Sequence, residues 1–195
     1  VFGIERVMVV DFDVHHGNGT QDMFYDDPNV LFISTHQAPF YPGTGLMDER
    51  GTGNAIGSTI NIPLRAGHGD ASYKAIYQHL VWPAARRFKP ELIMVSAGFD
   101  AHWKDPLANT YLSLEGYSLL THELCRMADE LCHGRIVFTL EGGYDTGVIA
   151  HGVRNIAHTL LGDDEVSDPY GKRTPEGGEP DVMPLIEQIR KLHGL

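Results

Sequence analysis

Asp11-Phe12-Asp13-Val14-His15-His16-Gly17-Asn18-Gly19 follows directly on the apolar run Val7-Met8-Val9-Val10, and together these stretches decide the fold. An unbroken apolar run this short predicts a strand, over residues 6–12, covered on both faces of a parallel sheet. Ligands of such sheets gather where the strands end. Successive strand side chains alternate, so Asp11, Asp13 and His15 project to one side if the extended backbone persists. An Asp-x-His pair offers a metal one oxygen and one nitrogen. That donor mix suits zinc, which in catalytic sites takes three protein ligands and leaves a position open. Alone, the pair also reads as a capping aspartate and a surface histidine in a glycine-rich turn.

The chain of 195 residues, 42% of them hydrophobic, fits one domain with a packed core. No apolar run approaches the length of a membrane span. A net charge of -11 argues against a nucleic-acid-binding face and is compatible with basic partners such as lysine-rich tails or polyamines. Its two cysteines, Cys125 and Cys132, fall inside a predicted helix. There they fill core space rather than pair, which fits a reducing compartment. A cytoplasmic location is therefore expected, or a nuclear one in a eukaryote.

Downstream, Thr20 is expected to cap a short helix ending at Phe24, and a second buried strand spans residues 30–34. The next segment, from His36 to Gly53, is rich in aromatic residues, Pro and Gly, and reads as the wall of a pocket. A strand over 58–63 leads to a helix capped by Asp70, with Pro83 as a kink. Residues 92–96 form another strand and run into Asp100, so a second carboxylate follows a buried strand. Ser113 caps a helix carrying Tyr117, Leu120, Leu124, Met127 and Leu131, and a strand over 135–140 ends at Glu141-Gly142-Gly143-Tyr144. A helix over 146–161 stops at Gly162, an acidic surface loop follows, and an amphipathic helix closes the chain. Strands alternating with helices predict an α/β fold, a doubly wound parallel sheet with helices on both faces.

The stretches VVDFDVHHGNGTQ (9–21), FISTHQ (32–37), YPGTG (41–45), VSAGFDAHWKDPL (95–107) and LEGGY (140–144) resemble the histone deacetylase family, closest to its class II and bacterial members. The resemblance implies a zinc-dependent amidohydrolase with an arginase/deacetylase-like fold. It makes Asp13, His15 and Asp100 the zinc ligands, and Tyr144 the catalytic tyrosine that donates to an oxyanion. Taken by itself, Tyr144 would read as a core or loop aromatic. By the same resemblance Asp11 and Ser34, with backbone carbonyls including that of Thr35, form a structural potassium site. Tyr41, where most members carry Phe, together with Leu107 and Gly143, lines an acyl-lysine tunnel. His16 and Asn18 stand behind the ligands, whereas His36, His68 and His102 read as loop histidines. The implied substrate is an acetylated lysine side chain of a protein, or an acetylated small amine such as an acetylpolyamine. Neither nucleic acid nor membrane is an expected partner, and the oligomeric state stays open.

Two rivals are weighed against this reading. Arginase-like ureohydrolases need carboxylates where this chain has Gly17 and His102, so a two-manganese cluster would lack charge compensation and one zinc is favoured. A catalytically inactive acyl-lysine-binding module is the other. The family's adjacent histidine pair, its proton-transfer dyad, lies upstream of the strand that here begins near Arg6, and the chain opens at Val1 without Met. The expectation is thus a single, partial deacetylase catalytic domain: core 6–162, acidic loop 163–182 and closing helix 183–192. It would lack its N-terminal strands, hold zinc, and be inactive alone.

Overall fold

Runs of Val, Ile, Leu and Phe around positions 8, 32, 61 and 94 suit a pleated surface buried on both sides. In the computed structural model, which describes residues 3–163 and 165–195, they become β1 (Val7–Asp11), β2 (Val30–Gln37), β3 (Thr59–Leu64) and β4 (Leu92–Ala97). With β5 (Ile136–Leu140) they make one parallel sheet in the order β3-β2-β1-β4-β5. The expected shortage of N-terminal strands needs correcting in one respect. β1, the first strand of the chain, is present and central, pairing with β2 through Asp11–Ser34 and with β4 through Asp11–Ser96. The chain winds outward from β1 to β3, then crosses back to β4. The β1–β4 junction is therefore a topological switch point, where a crevice opens at the carboxyl ends of the strands.

The helices are α1 (Asn18–Phe24), α2 (Asp70–Ile76), α3 (Trp82–Phe88), α4 (Leu114–Cys132), α5 (Thr146–Leu160) and α6 (Met183–His193). Alternation along β1 divides the core. Met8 and Val10 join the large cluster with Tyr73, Leu80, Leu120 and Leu124, while Val9 and Phe32 pack under Phe24 of α1. Next to that smaller cluster, Met94 and Val137 are exposed. Between α2 and α3 the backbone runs as a π-helical stretch, Tyr77–Val81. Such a bulge accommodates Pro83, which has no N–H to return to the preceding turn.

Several local expectations are corrected. β2 runs three residues past its expected end at Ser34, because His36 and Gln37 are buried with hydrogen-bond partners rather than solvated. Gly17, not Thr20, precedes α1. Asp70 does not cap α2; its carboxylate accepts from the N–H of Ser113 at 2.8 Å and its hydroxyl at 2.7 Å. Ser113 in turn caps α4 as expected, accepting from Gly116 N at 3.0 Å. The start of α2 is satisfied by Glu179, which takes the N–H groups of Gly69, Ala71 and Ser72 at 3.0–3.2 Å. Irregular residues 165–182 thus lie strapped across the domain. Asp168 accepts from Tyr170 and Gly171, Trp103 Nε1 donates to the Gly171 carbonyl at 2.9 Å, and Lys104 sits 4.1 Å over the Tyr170 ring.

Candidate metal centre and its cleft

Just past β1 the chain bends, and the bend brings Asp13 and His15 together. His15 Nδ1 lies 3.0 Å from Asp13 Oδ1 and 3.2 Å from Asp100 Oδ2, the latter delivered from beyond β4. Donor atoms of these three residues all fall within 4.8 Å of one another. Backbone amides hold the carboxylates in place: Asp100 Oδ1 accepts from Val14 N at 2.8 Å, and Asp13 Oδ2 from Gly142 N at 2.7 Å. Gly98 and Gly142 leave the necessary room. A Cβ on Gly142 would collide with Asp100 and Asp13, and one on Gly98 with Asp13.

Asp100 is fully buried, yet its Oδ2 has no hydrogen-bond partner. Burial, then the Asp13 carboxylate, push its pKa up to about 7, and burial with Asp13 likewise raises Asp11 well above the usual range. A buried oxygen without a partner, beside a second carboxylate and an imidazole nitrogen, is a deficit of positive charge. Two anionic oxygens and one nitrogen fit a divalent ion of the zinc type, with a position left for water or substrate.

A buried polar network backs this centre. His16 sits 2.8 Å from the Thr44 hydroxyl and 3.1 Å from Gln21 Oε1, and Gln21 Nε2 donates to Glu49 at 2.6 Å. The Gly45 carbonyl accepts from His36 Nε2 at 2.9 Å, leaving His36 Nδ1 to take the Ser34 hydroxyl proton at 3.0 Å. Burial and the facing His16 hold His36 at about 4, so the ring is neutral. Both histidine rings close on Gly45, whose φ of 87° and lack of room, a Cβ there falling 2.6 Å from both His16 and His36, admit no side chain. These bonds fix the loop after β2 and seat Phe40 against His15, ring centroids 5.2 Å apart and nearly parallel.

The cleft above the carboxylates holds about 490 Å³; His15, Asn18, Tyr41, Glu141 and Tyr144 are among its walls. Tyr41 and Tyr144 present their rings edge-on to His15 at 6.1 and 6.5 Å.

Comparison with known proteins matches residues 1–160 to the histone deacetylase domain. The chain belongs to the histone deacetylase family. It is 42% identical over 195 residues to "Histone deacetylase 14, chloroplastic" of Arabidopsis thaliana, covering 99% of this chain and 46% of that protein. It is 44% identical over 182 residues to a "Probable deacetylase" of Archaeoglobus fulgidus, covering 93% and 50%. Among solved structures, that of the histone deacetylase Clr3 superposes with a TM-score of 0.84 at 38% identity, covering 97% of this chain and 32% of Clr3. The chain spans about half the length of the curated relatives it matches.

Within this deacetylase fold, Asp13, His15 and Asp100 meet as the sequence motifs imply. Asp11 and Ser34 are register partners, and the Thr35 hydroxyl donates to the Asp11 carbonyl at 3.2 Å. Leu107 and Gly143 are not among the residues lining the cleft. Leu107 is exposed on the neighbouring loop, and Gly143, at φ 133°, lies against Ile149 and Phe99. His68 and His102 stand in loops as expected, whereas His36 belongs to β2, and all three are buried.

Sequence reasoning placed Phe40 in a pocket-walling loop without a role of its own, and gave none to Glu141 or Asp105. Asp105 Oδ1 accepts from Leu107 N at 2.9 Å and its Oδ2 from Tyr144 N at 3.0 Å, tying two chain segments together. The Asp105-Pro106 step, an acidic residue opening a turn, was the available signal for that residue.

Proposed function

We propose that this protein is a zinc-dependent deacetylase that hydrolyses N-acetyl amides, with acetyl-lysine on proteins as the substrate class. The observation carrying this reading is the buried Asp100 Oδ2, which accepts no hydrogen bond, beside Asp13 and His15, and these two line a cleft walled by Tyr144. Zinc held by Asp13, His15 and Asp100 would supply Lewis acidity toward an acyl carbonyl and acidify bound water.

The remaining chemistry belongs to the chain's own groups. Tyr144 donates its hydroxyl proton to the oxygen on which charge develops, an interaction strongest in the transition state. Phe40 and Tyr41 flank the acyl chain, and Leu107 and Gly143, outside the cleft walls, are assigned to the same tunnel by family resemblance. Asp11, Ser34 and Thr35 would hold a structural potassium ion between the ends of β1 and β2. Neither cleft histidine serves as the proton acceptor: His15 faces the carboxylates, and both ring nitrogens of His16 are engaged by Thr44 and Gln21. In this reading the acceptor comes from outside these 195 residues, and His16 and Asn18 support the ligands.

The test compares acetyl-lysine peptide and acetylpolyamine as substrates of the zinc-loaded protein, for the 195-residue chain and for a longer gene product. Turnover of the peptide by the longer form alone is expected. Preference for the polyamine would reassign the substrate. Equal turnover by both forms would place the base within this chain, and tight peptide binding without turnover by the longer form would make the site a reader of acyl-lysine.

A further inference from the structure

At the opposite edge of the sheet from the carboxylates, where strands begin rather than end, lies a second cavity of about 400 Å³. That size falls within the range of small-molecule sites. Arg6, Arg50, Arg87 and His193 contribute to its walls, and no lining residue is acidic. On a chain with a net charge of -11 this is a local reversal of sign.

Partner accounting sharpens the point. Arg6 is paired with Glu91 at 3.1 Å and donates to the Lys89 carbonyl. Arg87 gives one N–H to the His193 carbonyl at 2.6 Å but meets no carboxylate among the described residues. Arg50 has no side-chain hydrogen bond or ion pair among the described residues, and its buried Nε is unsatisfied. His193 is 8% exposed, and neither ring nitrogen meets hydrogen-bond geometry, although the Gly57 backbone approaches the ring. Buried polar groups are nearly always paired. The unsatisfied Arg50 Nε–H and two guanidinium groups without a carboxylate partner, around one cavity, describe the complement of a bound anion. Burial, with the charges of Arg50 and Arg87, holds His193 at about 4, so the ring is neutral and offers one N–H.

We propose that this cavity binds a small, multiply charged oxyanion of the phosphate class, gripped by Arg50 and Arg87 with His193 as a third donor. A guanidinium fork matches two oxygens of a phosphate. One phosphate group presents up to two charges and three acceptor oxygens from a single centre, enough for both forks, whereas a lone carboxylate satisfies one. The site lies away from Asp13, His15 and Asp100 and does not depend on the deacetylase reading.

The test is calorimetric titration of the intact protein at constant ionic strength with inorganic phosphate, pyrophosphate, glucose 6-phosphate and citrate, with the His193 ring protons followed by NMR. One phosphate-bearing anion per chain is expected, with a saturable shift of the His193 signals. Arg50→Gln should weaken binding about tenfold or more, the loss typical of one charge-assisted contact. Because Arg50 has no side-chain partner among the described residues, that substitution should leave the thermal midpoint unchanged. The His193 shift in the unaltered protein provides a readout independent of any variant. Tighter binding of glucose 6-phosphate than of inorganic phosphate would identify a phosphate ester as the source, and the reverse would identify the free anion; either supports the site. An unmoved His193 signal, affinity unchanged by Arg50→Gln, or citrate binding as tightly as pyrophosphate would overturn it.

Discussion

The carboxylate of Asp105 accepts the backbone N–H of Tyr144 at 3.0 Å, across 39 residues of sequence, while its other oxygen holds the N–H of Leu107 at 2.9 Å. The position of Tyr144 is therefore set from a different loop. Asp105→Ala should strand two part-buried donors and cost about 1 kcal/mol of stability by chemical denaturation. It should also lower kcat more than it raises KM, whereas Asp105→Asn, which keeps one acceptor, should recover part of both. An unchanged kcat in Asp105→Ala would separate this tie from Tyr144.

Tyr144→Phe should lower turnover by roughly 10²–10³ in the active form while leaving substrate affinity nearly intact. Steady-state kinetics with an acetyl-lysine peptide provide the check, and a variant within about twofold of the parent would remove this hydroxyl from the chemistry.

Gly142→Ala is expected to abolish stoichiometric zinc, because the added methyl would occupy the space of the Asp13 and Asp100 oxygens. Asp100→Ala should do so too, by removing a ligand. Elemental analysis after dialysis reads both, and full zinc occupancy in either variant would contradict the assigned ligand set.

Stability should depend on pH in a way that metal reverses. Without metal, burial and Asp13 raise Asp100 to about 7, far above an unfolded carboxylate near 4, and Asp11 shifts in the same direction. The native state then binds more protons than the unfolded chain between roughly pH 4 and 7, so stability falls as pH rises through that window. The thermal midpoint of the metal-free protein should be lower at pH 8 than at pH 5, by about 2–4 °C for each kcal/mol lost. Zinc, by favouring the ionised carboxylates, should flatten or invert the trend.

Gln21→Leu should free His16 and Glu49 together and loosen the loop that seats Phe40 on His15. A loss of about 1–3 kcal/mol is expected. A rise in KM with little change in kcat would mark the effect as one on substrate seating.

The parts of the fold readable in sequence were those with a local cause. Unbroken apolar runs gave β1 and β4, and Ser113, followed by a periodic apolar stripe, gave α4 with its cap. Readings failed where the partner was distant. Asp70 has the chemistry of a cap, but Glu179, more than a hundred residues away, takes the N–H groups of α2 and leaves Asp70 to Ser113. His36 and Gln37 look like a polar exit from a strand, yet Gly45 and Asn109 supply the partners that let them stay buried in β2. The metal triad was legible because two ligands share one turn and the third follows an apolar run of its own. Phe40 acts through a contact that no spacing announces, and the Asp105-Pro106 step announces a turn but not the distant N–H of Tyr144.

The strap over residues 165–182 carries one more consequence. A stretch this rich in Asp, Glu, Gly and Pro would ordinarily be the first place for a protease to cut and the first to swell at low ionic strength. Here Glu179 and Asp168 bind mainly backbone N–H groups rather than lysines or arginines. Added salt screens ion pairs but has little hold on short amide-to-carboxylate bonds. This acidic stretch should accordingly resist nicking over a wide range of salt.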